Sequence, residues 1–211
     1  ATPLDPNAYV AGGQVEALLK WAVGQAERYK VRPELSALSV ENQGGVWVER
    51  TYHDALAELS RVVVKGGGKD LLIPGDQVTV GLETPGVSLD AATGHYTFTY
   101  RDDVSGQDRQ VWLEDASSFA GKLALARRFN LGGVAVRSLW DEGNDSRLWN
   151  LVQQYQASTT SAPAAQASEF NLVWTVFSDT GSQVVEQVVP LGSGDYVFTA
   201  PDAPGMYQVA A

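Results

Sequence analysis

Val15, Leu18, Leu19, Ala22, Val23 and Ala26 fall at i, i+3, i+4, i+7, i+8 and i+11, one apolar stripe. The spacing predicts a helix after a loop over residues 1–13, which carries Pro3, Pro6, Gly12 and Gly13. Val31 to Val40, with Leu35, Ala37 and Leu38, reads as a largely buried strand, broken by Gly44 and Gly45. A second helix is expected from Tyr52 to Val64, with Ala55, Leu56, Leu59, Val62 and Val63 inward, stopped at Gly66-Gly67-Gly68. Strict alternation follows in residues 77–82 and again in 95–100. Residues 101–106 read as a turn, and Arg109 to Leu113 returns as the hairpin partner.

Asp115 stands at the cap position of a third helix running to about Phe129, with Phe119, Leu123, Ala126 and Phe129 facing inward. Leu131 to Val136 is a short apolar strand, and Asp145 or Ser146 can cap a last helix through Tyr155. Residues 156–168 are small and polar and read as a linker. The tail from Glu169 to Ala211 is all strand signal: Leu172, Trp174 and Val176 alternate, Val184 and Val185 follow, then Tyr196 and Phe198. Pro204 to Val209 supplies a turn and a closing strand. That tail is short of the roughly 100 residues a full sandwich takes.

With 211 residues there is room for one large or two small domains. A net charge of −10 repels phosphate backbones and anionic membranes, so a nucleic-acid partner is not expected. The absence of cysteine excludes disulfides, thiolate metal sites and a cysteine nucleophile. No apolar run approaches the roughly 20 residues of a membrane span. The first residues lack the basic and apolar regions of a signal peptide, so any such signal is expected to have been removed or to lie upstream.

Candidate chemistry is sparse. His53 and His95 are the only histidines, neither with a second ligand at metal spacing; His53 is expected exposed and His95 at a turn edge. Gly66-Gly67-Gly68-Lys69-Asp70 lacks the spacing of a phosphate loop and follows a helix, so a turn is expected. The pairs Asp102-Asp103 and Asp141-Glu142 could offer oxygen ligands to calcium, but read first as solvated turns. No nucleophile elbow occurs. No metal and no cofactor is expected.

The middle of the chain carries an ordered set of features. A hairpin ends in Val111-Trp112-Leu113-Glu114-Asp115-Ala116-Ser117-Ser118; a helix contains Lys122 to Phe129; Asn130-Leu131-Gly132-Gly133-Val134-Ala135-Val136-Arg137 gives a strand; Asp145 to Trp149 opens the last helix. This order resembles the C-terminal third of family-18 glycoside hydrolases, especially the spore-germination type. Residues 3–6 and the helix through Trp21 are similar to the family's approach to barrel strand seven, so the likeness covers about residues 1–155.

The resemblance implies an α/β fold: the C-terminal portion of a (β/α)8 TIM-type barrel over residues 1–155, with an α+β insertion at about 41–116. Residues 156–168 would be a linker and residues 169–211 a small all-β, Ig-like module. Strand eight would be Gly133 to Arg137, and active sites of such barrels lie at the strands' C-terminal ends. The family's acid lies in a D-x-x-D-x-E pattern on strand four, and no such pattern occurs in this sequence. Where the family ends strand eight in a sugar-stacking tryptophan, Arg137 stands here. The strand-seven end, Ser36 to Asn42, carries no aromatic. Trp140, just past Arg137, is a candidate substitute. Arg137, Trp140 and Asp141 are therefore the candidate glycan-binding residues, with no catalytic residue among them. Trp112 and Trp149 match positions the family uses for packing.

Two barrel strands alone leave unpaired edges. The chain is thus expected to be held by an N-terminal part of the same protein or by another subunit that completes the barrel. A free monomer of residues 1–155 is not expected to fold. The missing acid, the replaced tryptophan, the linker and the β tail favour a non-catalytic segment of a secreted or cell-envelope bacterial protein, acting in glycan contact or extracellular assembly. The alternatives are the C-terminal segment of an active chitinase- or peptidoglycan-type hydrolase whose catalytic residues lie upstream, and a structural subunit of an extracellular filament or envelope assembly.

Overall fold

The computed structural model describes residues 3–65, 71–84 and 86–211. In chain order these form α1 (Gln14–Gln25), β1 (Glu34–Ser36), β2 (Ser39–Gln43), β3 (Val46–Arg50), α2 (Tyr52–Leu59), β4 (Val62–Lys65), β5 (Gln77–Leu82), β6 (Ser88–Asp90) and β7 (His95–Arg101). There follow β8 (Asp108–Leu113), α3 (Ala116–Arg128), β9 (Ala135–Arg137), α4 (Arg147–Ala157), β10 (Asn171–Ser178), β11 (Gln183–Pro190), β12 (Tyr196–Thr199) and β13 (Tyr207–Ala210). The fold is mixed α/β. No described helix is long and apolar enough to cross a membrane. The chain divides into two compact units, residues 1–56 with 88–168 and residues 57–87 with 169–211.

In the first unit, β1 and β9 pair in parallel, Glu34 opposite Ala135 and Ser36 opposite Arg137. A parallel pair needs a long crossover, and here it carries a five-stranded antiparallel sheet in the order β3-β2-β8-β7-β6. The single strand expected over 31–40 is therefore two. The Leu38 amide donates to the Ser36 hydroxyl at 3.2 Å, a local bond that turns the backbone away from β1. The chain then re-enters as β2, paired on one side with β3 and on the other with β8.

α3 and α4 bury the faces their periodicity predicts. Phe119, Leu123 and Ala126 from α3 meet Leu148, Leu151, Val152 and Tyr155 from α4 in one core with Leu19, Leu35 and Ala37. Asp115 caps α3 in a full capping box: its carboxylate accepts the Ser118 amide at 2.9 Å, and the Ser118 hydroxyl accepts the Asp115 amide at 3.0 Å. Asp145 accepts the Ala116 amide at 2.9 Å and the Arg147 amide at 3.0 Å, joining the starts of α3 and α4. On α1, Val15 and Leu19 are buried while Leu18 and Trp21 are exposed, so only part of the predicted stripe is covered.

Residues 156–168 lie within this unit. Pro163 and Ser168 are buried, and the Ser168 hydroxyl donates to Asp115 and accepts from Arg147. A segment composed like a linker is thus pinned by hydrogen bonds at its far end.

The second unit holds two three-stranded sheets, β11-β10-β13 and β12-β5-β4. Val80, Leu172 and Trp174 form its core, and Trp174 stacks on Tyr196 with ring centroids 5.7 Å apart. The helix expected to reach Val64 ends at Leu59. Val62-Val63-Val64 instead pairs with β5, as suits a β-branched run. The glycines proposed to stop that helix, with Lys69 and Asp70, lie outside the described residues. Tail strand β12 pairs with β5 rather than with another tail strand. Residues 57–87, read from sequence as part of the insertion, thus supply the strands that the short tail lacks.

Candidate functional site

Because β1 and β9 run parallel, their C-terminal ends share one edge, where Ser36 and Arg137 stand opposite each other. Arg137 forks Glu49 of β3: Nη1 donates to Oε2 at 2.7 Å and Nη2 to Oε1 at 2.5 Å. The Ser36 hydroxyl donates to the same Oε1 at 2.7 Å, and Glu34 lies 3.4 Å from Arg137 Nε. Burial pushes the Glu49 carboxyl up, but the bonds from Arg137 and Ser36 outweigh it and hold the group below the usual carboxylate range. The bond to Glu49 raises Arg137 in turn. Arg137 therefore clasps β9 to β3, and much of its donor capacity is spent inside the protein.

A second charged cluster is fully enclosed. Glu114, which ends the β7–β8 hairpin, is 2% exposed. It accepts from Lys122, from the Ser118 hydroxyl at 3.2 Å, and faces His95 Nε2 at 3.2 Å. Its own amide donates to the Ser39 hydroxyl at 3.0 Å. Burial pushes the Glu114 carboxyl up, yet the Lys122 charge and the His95 bond pull it below its ordinary value. His95 opens β7 at the edge of the turn over residues 91–94, as expected, and is buried there. Its Nδ1 lies 3.1 Å from the Thr93 carbonyl, so both ring nitrogens face acceptors.

Tyr9 covers Lys122, whose Nζ lies 4.8 Å from the ring centroid. Burial, with the Glu114 charge second, pushes the Tyr9 phenol up to about 12. A cavity of about 10 Å³ remains among Tyr9, Ser36, His95, Glu114 and Lys122. That is room for roughly one water. Cations thus hold the Glu114 and Glu49 carboxyls below their ordinary values, and burial holds the Tyr9 phenol above its own.

Beyond Arg137 the chain turns at Ser138, which takes a left-handed φ of 59°. The Ser138 carbonyl accepts the Asp141 amide at 3.2 Å and the Asn144 side chain at 2.5 Å, and the Gly143 carbonyl accepts the His53 amide at 2.8 Å. This loop holds Trp140 at 76% exposure, packed on Trp149 at a centroid distance of 4.5 Å and an angle of 43°. Trp149 is 38% exposed and so is not the core residue that the resemblance implied. Leu148 and Val152 take the inward face of α4, and Trp149 lies one residue, about 100° of rotation, off that face. Asp141 is exposed beside the pair. Trp112 is buried against Trp47 at 5.2 Å, as expected.

Asp102 is committed within its own turn, where its carboxylate accepts the amides of Val104 and Ser105 and lies 2.9 Å from Arg109 Nε. Those partners, Ser105 first, lower it to about 2. His53 is exposed at the start of α2. Sequence reasoning missed Tyr9, Glu49, Glu114 and Lys122. Glu114 and Lys122 had a signal, their places in the hairpin end and the helix that carry the resemblance.

No family model matches the chain, and no curated protein does. Among solved structures, a chitinase from Chromobacterium violaceum is similar at 23% identity and a TM-score of 0.46, over 66% of this chain and 37% of that one. A class V chitinase from Pseudomonas fluorescens is similar at 22% identity and a TM-score of 0.43, over 67% of this chain and 37% of that one. The spore cortex-lytic enzyme SleL of Bacillus megaterium is similar at 17% identity and a TM-score of 0.39, over 67% of this chain and 29% of that one. The chain therefore spans little more than a third of the first of these and less than a third of the last.

Proposed function

We propose that this chain is a non-catalytic, family-18-like segment of a secreted or cell-surface bacterial protein, and that it contacts glycan through Trp140 and Trp149. The observation that carries the reading is the exposed indole pair on the loop that follows β9 and at the start of α4. An open indole face covers the apolar C–H face of a pyranose ring and releases the water from both. Asp141 and Glu142, exposed beside it, can accept hydroxyl hydrogens at the rim. The pairing of Glu49 and Glu114 with cations supports a structural role for these two carboxylates. Exposed Leu18 and Trp21 on α1 support a contact between that helix and a further polypeptide in the same assembly.

Retention on insoluble chitin and on peptidoglycan tests the reading. The parent chain is expected to be retained on at least one of them, with Trp140→Ala released at about ten-fold lower affinity, the loss of one stacked ring. Far-UV circular dichroism should not change. Equal retention of parent and variant, or no retention of either, refutes glycan contact at this pair.

A further inference from the structure

A cleft of about 440 Å³ opens in the first unit between β9 and the end of α4. Its apolar lining comes from Leu131, Val134, Val136 and Val152, and its polar lining includes Arg32 and Arg127. No described lining residue is acidic, although the chain carries a net charge of −10. Among the described residues neither arginine pairs with a carboxylate. Arg32 is exposed.

Arg127 lies over the Tyr155 ring, its Cζ 3.9 Å from the centroid, and donates to the carbonyls of Tyr155 at 2.5 Å and Thr159 at 3.3 Å. Its Nε is buried with no partner, and so is the hydroxyl of Tyr155, a residue only 7% exposed. Burial raises the Tyr155 phenol, which keeps it a donor. Two cations without a carboxylate partner thus border one cleft, whose walls combine apolar Leu131, Val134, Val136 and Val152 with polar Asn130, Gln156, Ser158 and Thr159. Its volume lies within the ~300–1,000 Å³ of small-molecule sites.

We propose that this cleft binds a small organic carboxylate. The carboxylate faces the arginines, and a short apolar body lies on Val134, Val136 and Val152. The inference is independent of the glycan reading, which concerns the Trp140 loop.

The test is an NMR titration of the full chain with hexanoate, and with hexanamide as the neutral analogue, at constant ionic strength. Hexanoate is expected to shift the amides of residues 127–136 and 155–159 saturably in the millimolar range, with hexanamide about ten-fold weaker. Arg32→Gln, at an exposed position, is expected to fold normally and bind hexanoate about five-fold more weakly, the size of one exposed ion pair. Arg127→Lys is expected to weaken binding further, because an ammonium lacks the planar fork. Trp140→Ala should bind hexanoate as the parent does, which separates this site from the glycan surface. The absence of a saturable shift, equal affinity for the two probes, or unchanged binding in Arg32→Gln overturns the proposal.

Discussion

Substituting Glu114→Gln removes the negative charge from a site where the carboxyl is 2% exposed and its partner Lys122 is 9% exposed. The amide keeps the shape and can still accept from Ser118. The Lys122 ammonium, enclosed under Tyr9, loses its counter-charge. Breaking a buried ion pair from one side costs about 3–5 kcal/mol, because the remaining charge stays desolvated. Removing both charges in Glu114→Gln/Lys122→Met should recover about 2 kcal/mol or more of that loss, since the isolated cation is gone too. Urea unfolding of the four proteins of the cycle gives the coupling directly. Hydrogen exchange of the α3 amides confines the readout to the first unit. The acid limb provides a second check. Glu114 is held below its ordinary value of 4.5, so its contribution is full above that pH and is lost as pH falls through the lower folded-state value. The parent should lose stability over that acid range, and Glu114→Gln should lose correspondingly less. A single-mutant cost under about 1 kcal/mol, or a coupling near zero, refutes the argument that this pair is a desolvated, mutually dependent unit.

Further substitutions address the frame around it. Asp115→Ala removes the capping-box acceptor and the partner of Ser168, and should lower unfolding free energy by about 2 kcal/mol in the same urea assay. A Cβ at Gly132 would lie 1.9 Å from the Tyr29 carbonyl oxygen, a backbone atom that cannot swing aside. Gly132→Ala should therefore cost about 3 kcal/mol or more, or yield insoluble chain; a thermal midpoint equal to the parent's would contradict the close approach of these segments.

Much of the local structure was legible because it depends on neighbours in sequence. The apolar spacing of α3 and α4, the Asp115 cap, the β7–β8 hairpin and the turn at Asp102 each follow from a few adjacent residues. The local pattern put a strand at Leu131 to Val136, and the resemblance put it at Gly133 to Arg137, within two residues of β9. The reading of Arg137 as a ligand residue rested on its position at the strand end. Its fork to Glu49, 88 positions away, was invisible to any local pattern.

The same limit explains the other departures. Val31 to Val40 carries Leu35, Ala37 and Leu38 in an unbroken stretch, and periodicity cannot say that one half pairs with β9 and the other with β8. His95 stands at its expected turn edge, and the contact of its ring with Glu114 is set by a residue 19 positions away. Val62-Val63-Val64 extended a helical stripe on paper, but pairing with β5 overrode it, since strand partners across a loop outweigh a marginal helix end. Sequence by itself determined which faces are apolar, where helices begin, that cysteine chemistry and an internal D-x-x-D-x-E are absent, and the acidic balance. Tertiary structure alone decided which charges meet, that Trp149 faces outward beside Trp140, that the tail draws strands from residues 57–87, and that two arginines border a cleft without an acid. The physical reason is one of range: side-chain periodicity is set within a turn or a pleat, whereas desolvated charge pairs and strand partners are set by segments that folding brings together from distant parts of the chain.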